Sequence, residues 1–300
     1  MNHLHVLITL GCLSHSALLA ESLYEGFACP TDYADATPIA DAVPLSGKSE
    51  GGWKSYDKLP EQQTGAFLVT KDAAPEKTLD AKPAMPTREE RASQRAAERE
   101  KLKSLPREER KKKEDAAGLI KDGMRQVARI KRSPGHLALI PGQKLTQGII
   151  HKFKKPLKAP IYLSFILEPD SSPGNPVSFV FEDVNGKDVI SILYRFHEQR
   201  IWKLETGTAS ATINCDEKEG PMFVVFGMEP DKKERDLWHC RYAINPAVMT
   251  DPFLKSGYRN TAKFSGELEE IAAIRITKGP ATKATLDEIR VGEELRDVLP

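Results

Sequence analysis

The sequence predicts a mainly β protein, a two-sheet antiparallel jelly-roll sandwich with a charged α-helical insertion. Three observations point there. Short runs rich in β-branched and aromatic residues recur from Ile161 onward, with turn residues between them. An Asn185-Gly186 pair divides two such runs, 177–183 and 188–196. Both residues tolerate positive φ, and a tight turn built on them twists in the same sense as its strands. Finally, the helical pattern at 88–132 is sharply set off in composition from the β-rich stretches on either side.

At the N-terminus, residues 1–20 read as a secretory signal peptide. Val6-Leu7-Ile8, Leu10 and Leu13 form a short apolar centre, and Ala17-Leu18-Leu19-Ala20 supplies a small residue before the cut. His3 and His5 stand where Lys or Arg is usual. The expected location is secreted, periplasmic or at the cell envelope. No later stretch approaches the roughly 18 apolar residues of a membrane span.

Residues 21–70 are expected to supply the first strands of the sandwich, at Tyr24-Glu25-Gly26-Phe27 and Ala66-Phe67-Leu68-Val69-Thr70, with 31–58 as loop. The charged insertion spans 71–135. Thr87-Arg88-Glu89-Glu90 is a capping box, in which hydroxyl and carboxylate each satisfy an orphan backbone N–H. The helix that follows, 88–103, has little apolar face. Pro106 suits a first-turn position and opens a second helix. There Ala116, Leu119, Ile120, Met124, Val127 and Ile130 recur at three- and four-residue steps, so they share a face that must be buried, most simply on the sandwich. Ser133-Pro134-Gly135 ends it.

Residues 136–300 carry the rest of the sandwich. Strands are expected at 136–140, 148–153, 161–167, 177–183, 188–196, 199–205, 208–214, 221–228, 237–244, 271–276 and 286–291. The three at 208–214, 221–228 and 237–244 read as a meander.

The whole chain, 300 residues with a net charge of +1, names no partner by its charge. The charge is unevenly placed, however. Between Arg88 and Arg132 stand sixteen basic and nine acidic residues, with Lys111-Lys112-Lys113 the densest basic patch. That patch is a candidate contact for an acidic polymer, against the simpler reading of a solvated helix laced by i,i+4 pairs. Nucleic acid is not expected, because no aromatic residue interleaves the basic ones to stack on bases.

Cys29, Cys215 and Cys240 remain after the signal peptide, an odd number. In the meander, Cys215 and Cys240 lie two strands apart, roughly 9–10 Å, beyond the Cα separation of about 7 Å that a disulfide tolerates. They are therefore expected not to pair.

Ile161–Leu167, Tyr242-Ala243-Ile244-Asn245-Pro246, and the closing Asp287-Glu288-Ile289-Arg290-Val291-Gly292 with Asp297-Val298-Leu299-Pro300 together carry a resemblance. The chain resembles secreted bacterial proteins of the concanavalin A-like lectin/glucanase class, of LamG-like jelly-roll type. The likeness covers about 24–70 and 136–300 and skips the charged helices. It implies a two-sheet antiparallel jelly roll. It implies no single activity, since such folds host lectin modules and glucanases alike.

Glucanases of that class place their acids two and four residues apart on one strand, within the roughly 5 Å that a retaining mechanism needs. No such strand is found. Glu267-Leu268-Glu269-Glu270 reads as a polar loop, while Asp287-Glu288 and Glu182-Asp183 put neighbouring acids on opposite faces of a strand. The sequence therefore leans away from an enzyme. Asp183, Asn185 and Asp188 have calcium-like spacing but lie on the predicted hairpin turn and lack a distal bidentate Glu. No cofactor is expected, and no Cys-x-x-Cys marks a metal site.

What remains is aromatic. Trp202 with Arg200, and Trp238 with His239, are the candidate carbohydrate-binding residues, because a sugar ring lays its apolar face on an aromatic plane while polar neighbours take its hydroxyls. Burial of these tryptophans in the core is the competing reading. The expected function is a non-catalytic module that binds glycan or an acidic envelope polymer. The alternative is a divergent polysaccharide hydrolase or lyase on the same fold.

Overall fold

The computed structural model describes residues 23–29, 31–45, 51–56, 58–59, 66–72, 93, 96–97, 100, 102–142, 145–169, 176–196, 200–206, 209–215, 221–234, 236–254, 258–265 and 270–300. In chain order the elements are β1 (Leu23–Glu25), β2 (Thr37–Pro38), β3 (Trp53–Ser55), β4 (Phe67–Thr70), α1 (Arg107–Val127), β5 (His136–Leu139), β6 (Gln147–Leu157), β7 (Ile161–Pro169) and β8 (Val177–Asp183). There follow β9 (Asp188–Phe196), β10 (Arg200–Glu205), β11 (Ser210–Cys215), β12 (Met222–Pro230), β13 (Leu237–Ile244), β14 (Tyr258–Ser265), β15 (Ile271–Lys278), β16 (Ala284–Gly292) and α2 (Leu295–Val298).

These strands form two antiparallel sheets packed as a sandwich, the architecture the sequence predicts. The first sheet has the order β14-β13-β12-β7-β16-β5-β4-β2, with β1 also on β16; the second runs β11-β10-β9-β8-β15-β6-β3. Every strand pair described is antiparallel. Aromatic contacts join the layers. Phe165 of β7 stacks on Phe179 of β8, with centroids 3.9 Å apart, and Phe181 of β8 faces Phe226 of β12 at 6.0 Å. Such pairs add about 0.5–1.5 kcal/mol beyond the area they bury.

β7 lies between β12 and β16, and seven consecutive residues, Ile161 to Leu167, are buried. A strand covered on both faces needs no polar alternation. Leu163, Phe165 and Leu167 enter the sandwich core. Tyr162 and Ile166 lie on the outer face, in a second cluster with Phe223, Val225 and Ala243. Val127 and Ile130 from α1, Phe253, and Val298 with Leu295 and Leu299 from the C-terminal segment cover that cluster. The apolar stripe of α1 is thus seated through Val127 at its C-terminal end, with Ile120 also packed against the sandwich core. Met124 on the same stripe is 46% exposed.

The Asn185-Gly186 hairpin is present between β8 and β9, but only Gly186 takes positive φ, at 72°. Gly186 N–H donates to the Asp183 carbonyl, and the Asp183 carboxylate accepts the N–H groups of Asn185 and Lys187. The turn is therefore an Asp-capped turn followed by a left-handed glycine, a three-residue hairpin form rather than the two-residue one.

Three expectations are corrected. β11 does not form a meander with β12 and β13. It edges the second sheet, while β12 and β13 are paired in the first. Cys240 is a free buried thiol, as expected, but for a different reason: its strand and that of Cys215 lie in different layers. The stretch 31–58, expected as loop, contributes the short strands β2 and β3. Finally, β14 was not expected at all, although Tyr258, Asn260, Ala262 and Phe264 alternate with Arg259, Thr261, Lys263 and Ser265. The expected signal peptide at 1–20, the expected capping box at Thr87 and residues 266–269 lie outside the described residues.

Candidate functional site

On the second sheet the outward residues converge near the middle. In β15, Ile274 and Ile276 enter the core, so Arg275 between them projects outward. Its neighbours across the ladder are Val180 of β8 and Ile150 of β6. Glu182 stands beside it on β8, opposite Asp188 at the start of β9. The Arg275 guanidinium donates through Nη1 to Glu182 and through Nη2 to both oxygens of Asp188, at 3.0 and 2.9 Å. Tyr56 follows β3 and is held by its N–H on the Gly148 carbonyl at 2.9 Å. Its ring centroid lies 4.3 Å from Arg275 Cζ, and its hydroxyl accepts from Nη1 at 2.5 Å. Burial raises the Tyr56 phenol above its ordinary pKa, with the Arg275 charge acting against that.

Arg275 and Glu182 are nearly enclosed, at 8% and 3% exposure. An ion pair so buried needs its remaining hydrogen-bonding positions satisfied; Asp188 and Tyr56 take up the two terminal nitrogens of Arg275, while its Nε is buried without a partner. Both carboxylates spend oxygens on one guanidinium, so they form a structural ion triad and not a free acid facing a free base.

Beside this triad is a pocket of about 330 Å³. Its floor is Ile150, Ala273 and Tyr56, and Lys58, Lys152 and Asn185 stand around it. Lys58 Nζ donates to the Gly186 carbonyl at 3.1 Å, tying the segment after β3 to the hairpin turn. The floor side chains are themselves buried, at 3–7% exposure, so a ligand here would meet chiefly the donors and acceptors of the rim.

The sequence-predicted residues lie elsewhere. Trp202 on β10 has no exposed surface and packs with Tyr194 and Phe165, at 4.9 and 5.9 Å between centroids. Trp238 on β13 is 5% exposed and packs on Phe264 at 4.7 Å. A platform must show a ring face to solvent, and both rings are enclosed in the core. His239, on the opposite face of β13 from Trp238, is half-buried and bonded to Asp231 at 2.5 Å. The N–H groups of Lys233 and Glu234, together with His239, hold the Asp231 carboxyl well below the usual range. Arg200 begins β10, in the other sheet, so the structure does not gather the four residues. Lys111, Lys112 and Lys113 lie exposed on the N-terminal half of α1.

The calcium-like spacing is used otherwise. Asp183 caps the turn, and Asp188 binds Arg275. No group of three acids, His or Cys among the described residues is disposed around a common ion. No described helix is long and apolar enough to cross a membrane.

Asp287 and Glu288 depart from the alternation rule. The β16–β7 register shifts between Asp287 and Arg290, and Glu288 takes a positive φ of 52°. This β-bulge turns Glu288 outward beside Asp287. Its carboxylate accepts Ser133 N–H at 2.7 Å, the Tyr24 hydroxyl and Arg290 Nη2. The neighbouring acids therefore share the outer face of the first sheet, and the expectation of opposite faces is corrected. A period-two rule assumes an unbroken ladder, and the bulge breaks it.

No protein-family model matches the chain, and no curated protein matches its sequence. Solved structures similar to it include the CBM2 module of Lactobacillus casei BL23 phage J-1 evolved Dit, at 9% identity and a TM-score of 0.36, over 54% of this chain and 77% of that one. A legume lectin-like domain from Entamoeba histolytica is similar at 8% identity and a TM-score of 0.37, over 53% of this chain and 84% of that one. An endo-beta-1,3-glucanase from Pyrococcus furiosus is similar at 13% identity and a TM-score of 0.36, over 53% and 75%. These likenesses assign this chain neither a ligand nor an activity.

Proposed function

We propose that the protein is a non-catalytic, carbohydrate-binding β-sandwich, exported to the cell envelope, with its sugar subsite in the pocket between Tyr56 and the hairpin turn at Asn185. One observation carries the binding reading: an apolar floor of Ile150, Ala273 and Tyr56 is bordered by Lys58, Lys152 and Asn185 on the outer face of the second sheet. The choice of binding over hydrolysis rests on Arg275, which engages both nearby carboxylates. Export rests on the composition of residues 1–20.

The test is a glycan array and a pull-down on insoluble polysaccharides with the full chain, followed by Lys58→Ala and Asn185→Ala. A bound glycan whose affinity falls at least tenfold in either variant supports the subsite. Retention of no glycan in either format overturns the reading. So does release of reducing ends from a bound polysaccharide.

A further inference from the structure

The outer face of the first sheet carries a feature unconnected with that pocket. Across β5, β16 and β7, the ladder aligns Ala138 with Thr285 and Thr285 with Glu168. Leu137, Leu286 and Leu167, which alternate with these, are fully buried in the core. Ala138 and Thr285 therefore form a flat bed of short side chains. Above it is a cavity of about 770 Å³, whose polar lining includes Asp72, Arg132, His136, Glu168, Lys283 and Asp287. A second cavity of about 560 Å³ continues past the end of α1, lined by Tyr24, Lys131, Ser133, Arg290 and Asp297 among others. Arg132 lines both cavities, so the two adjoin along this face as a groove divided at this residue.

The charges along the groove are not evenly committed. Asp72 accepts from His136 Nδ1 at 3.1 Å, and Asp297 accepts Glu294 N–H at the start of α2. Glu288, just behind the groove, is engaged by Ser133, Tyr24 and Arg290. Lys131 and Arg132, both exposed, have no hydrogen bond or ion pair among the described residues. Glu168 on β7, also exposed, likewise has no hydrogen bond or ion pair among the described residues, so the uncommitted charges of the groove are Glu168 and, adjacent to each other at the junction, Lys131 and Arg132. Each cavity is within the size range of a small-molecule site, so the groove spans more than one sugar ring.

We propose that this groove is a second binding site, for an oligosaccharide that carries carboxylates, with Arg132 and Lys131 pairing a uronate group at the junction. Guanidinium is the natural partner, because its fork matches a carboxylate bidentately. Asp287 has a defined part in this. It is 5% exposed, and burial, with the neighbouring Glu288 charge, pushes its carboxyl up to about 8. At neutral pH it is therefore a neutral O–H donor on the groove floor, able to hydrogen-bond a ligand carboxylate that an ionised Asp would repel. The charged groups facing it are Glu288, Arg132 at the end of α1, Asp72 after β4, His136 on β5, Glu168 on β7 and Lys283 before β16.

The experiment is titration calorimetry of the full chain with tri-galacturonate, a neutral hexose trisaccharide and monomeric galacturonate, at pH 6.5 and pH 9. The acidic trimer is expected to bind at least tenfold tighter than either other ligand at pH 6.5. Arg132→Gln should lose at least tenfold. Lys131→Gln, a fully surface change that leaves the fold intact, should lose severalfold. At pH 9 the wild type weakens, whereas Asp287→Asn, which still donates but does not ionise, retains its affinity. Equal affinity for the neutral trimer, no binding of the acidic one, or undiminished binding in both cation variants overturns the proposal. Equal weakening of Asp287→Asn at pH 9 removes the role given to Asp287. Lys58→Ala, in the pocket on the second sheet, should leave acidic-trimer binding unchanged, and that separates the two sites.

Discussion

Gly123 of α1 and Asn245 at the end of β13 are in direct backbone contact: a Cβ built on Gly123 would stand 1.7 Å from the Asn245 carbonyl oxygen. Asn245 is itself fixed. It holds a φ of 47°, its N–H donates to the Phe223 carbonyl and its side-chain oxygen accepts Phe223 N–H, both at 2.8 Å. Neither partner has a flexible end to move aside. Gly123→Ala must therefore lift α1 and uncover Val127 and Ile130, at about 1–3 kcal/mol, the usual cost of overpacking. Gly118, five residues earlier on the same helix, has nothing within 4 Å of its Cβ position. Gly118→Ala should stabilise by up to about 1 kcal/mol through helix propensity. Urea unfolding of the two variants should give opposite signs.

Asp287 gives the fold a distinctive pH dependence. Its folded pKa of about 8 lies above the ordinary value of 3.8. The native state therefore keeps a proton that the unfolded chain releases across that interval, and stability falls as pH rises through it. Relative to Asp287→Asn, the wild type should lose roughly 1.4 kcal/mol per pH unit between pH 4 and pH 8, and no more outside that window. Denaturation midpoints of the two proteins from pH 4 to pH 9 check this; parallel curves would contradict it.

Lys278 acts in the opposite sense. It is fully buried at the end of β15, its one described contact is a 3.5 Å approach to the Gly279 carbonyl, and burial lowers its pKa to about 8. Here the unfolded chain binds the extra proton between about 8 and the ordinary 10.5. Stability gains from this group as pH rises through that interval. Lys278→Met should raise the melting temperature at pH 7 and lose part of that advantage by pH 10.

Arg275 provides a test of the ion triad. Arg275→Met strands the Glu182 carboxylate in a site that is 3% exposed, and should destabilise by about 3–5 kcal/mol. Replacing Glu182 with Met as well should recover most of that loss, since an apolar pair of similar volume is often as stable as a buried ion pair. A double variant no better than the single would show that the destabilisation lies in packing.

The strands that were legible in the sequence share one property, a run of apolar residues too dense to be anything but buried. β7, β12 and β15 are of this kind, and the β8–β9 hairpin announces itself by its turn. β14 was missed because polar Asn260 interrupts the less polar set of its alternation, and β2 and β3 because two or three residues make no pattern. The sites were harder for a physical reason. Tyr56, Glu182, Asp188 and Arg275 come from four separate stretches, and only the ladder registers bring them together. Trp202 illustrates the converse limit: composition shows a large aromatic ring but not which side of the sheet it takes. Asp287 and Glu288 were visible as a pair, yet one residue in a left-handed conformation reversed the face assigned to the second.

β16 also has a consequence for assembly. It comes after the other described strands in the chain, yet it sits between β7 and β5, and beyond its bulge it hands its free edge from β5 to β1. A chain still leaving the ribosome holds the β14-β13-β12-β7 and β5-β4-β2 ladders as two unjoined halves, each with a raw inner edge. Closure waits for β16 to slot between them, a long-range step that makes folding slow and leaves those inner edges open to strand capture until β16 is in place.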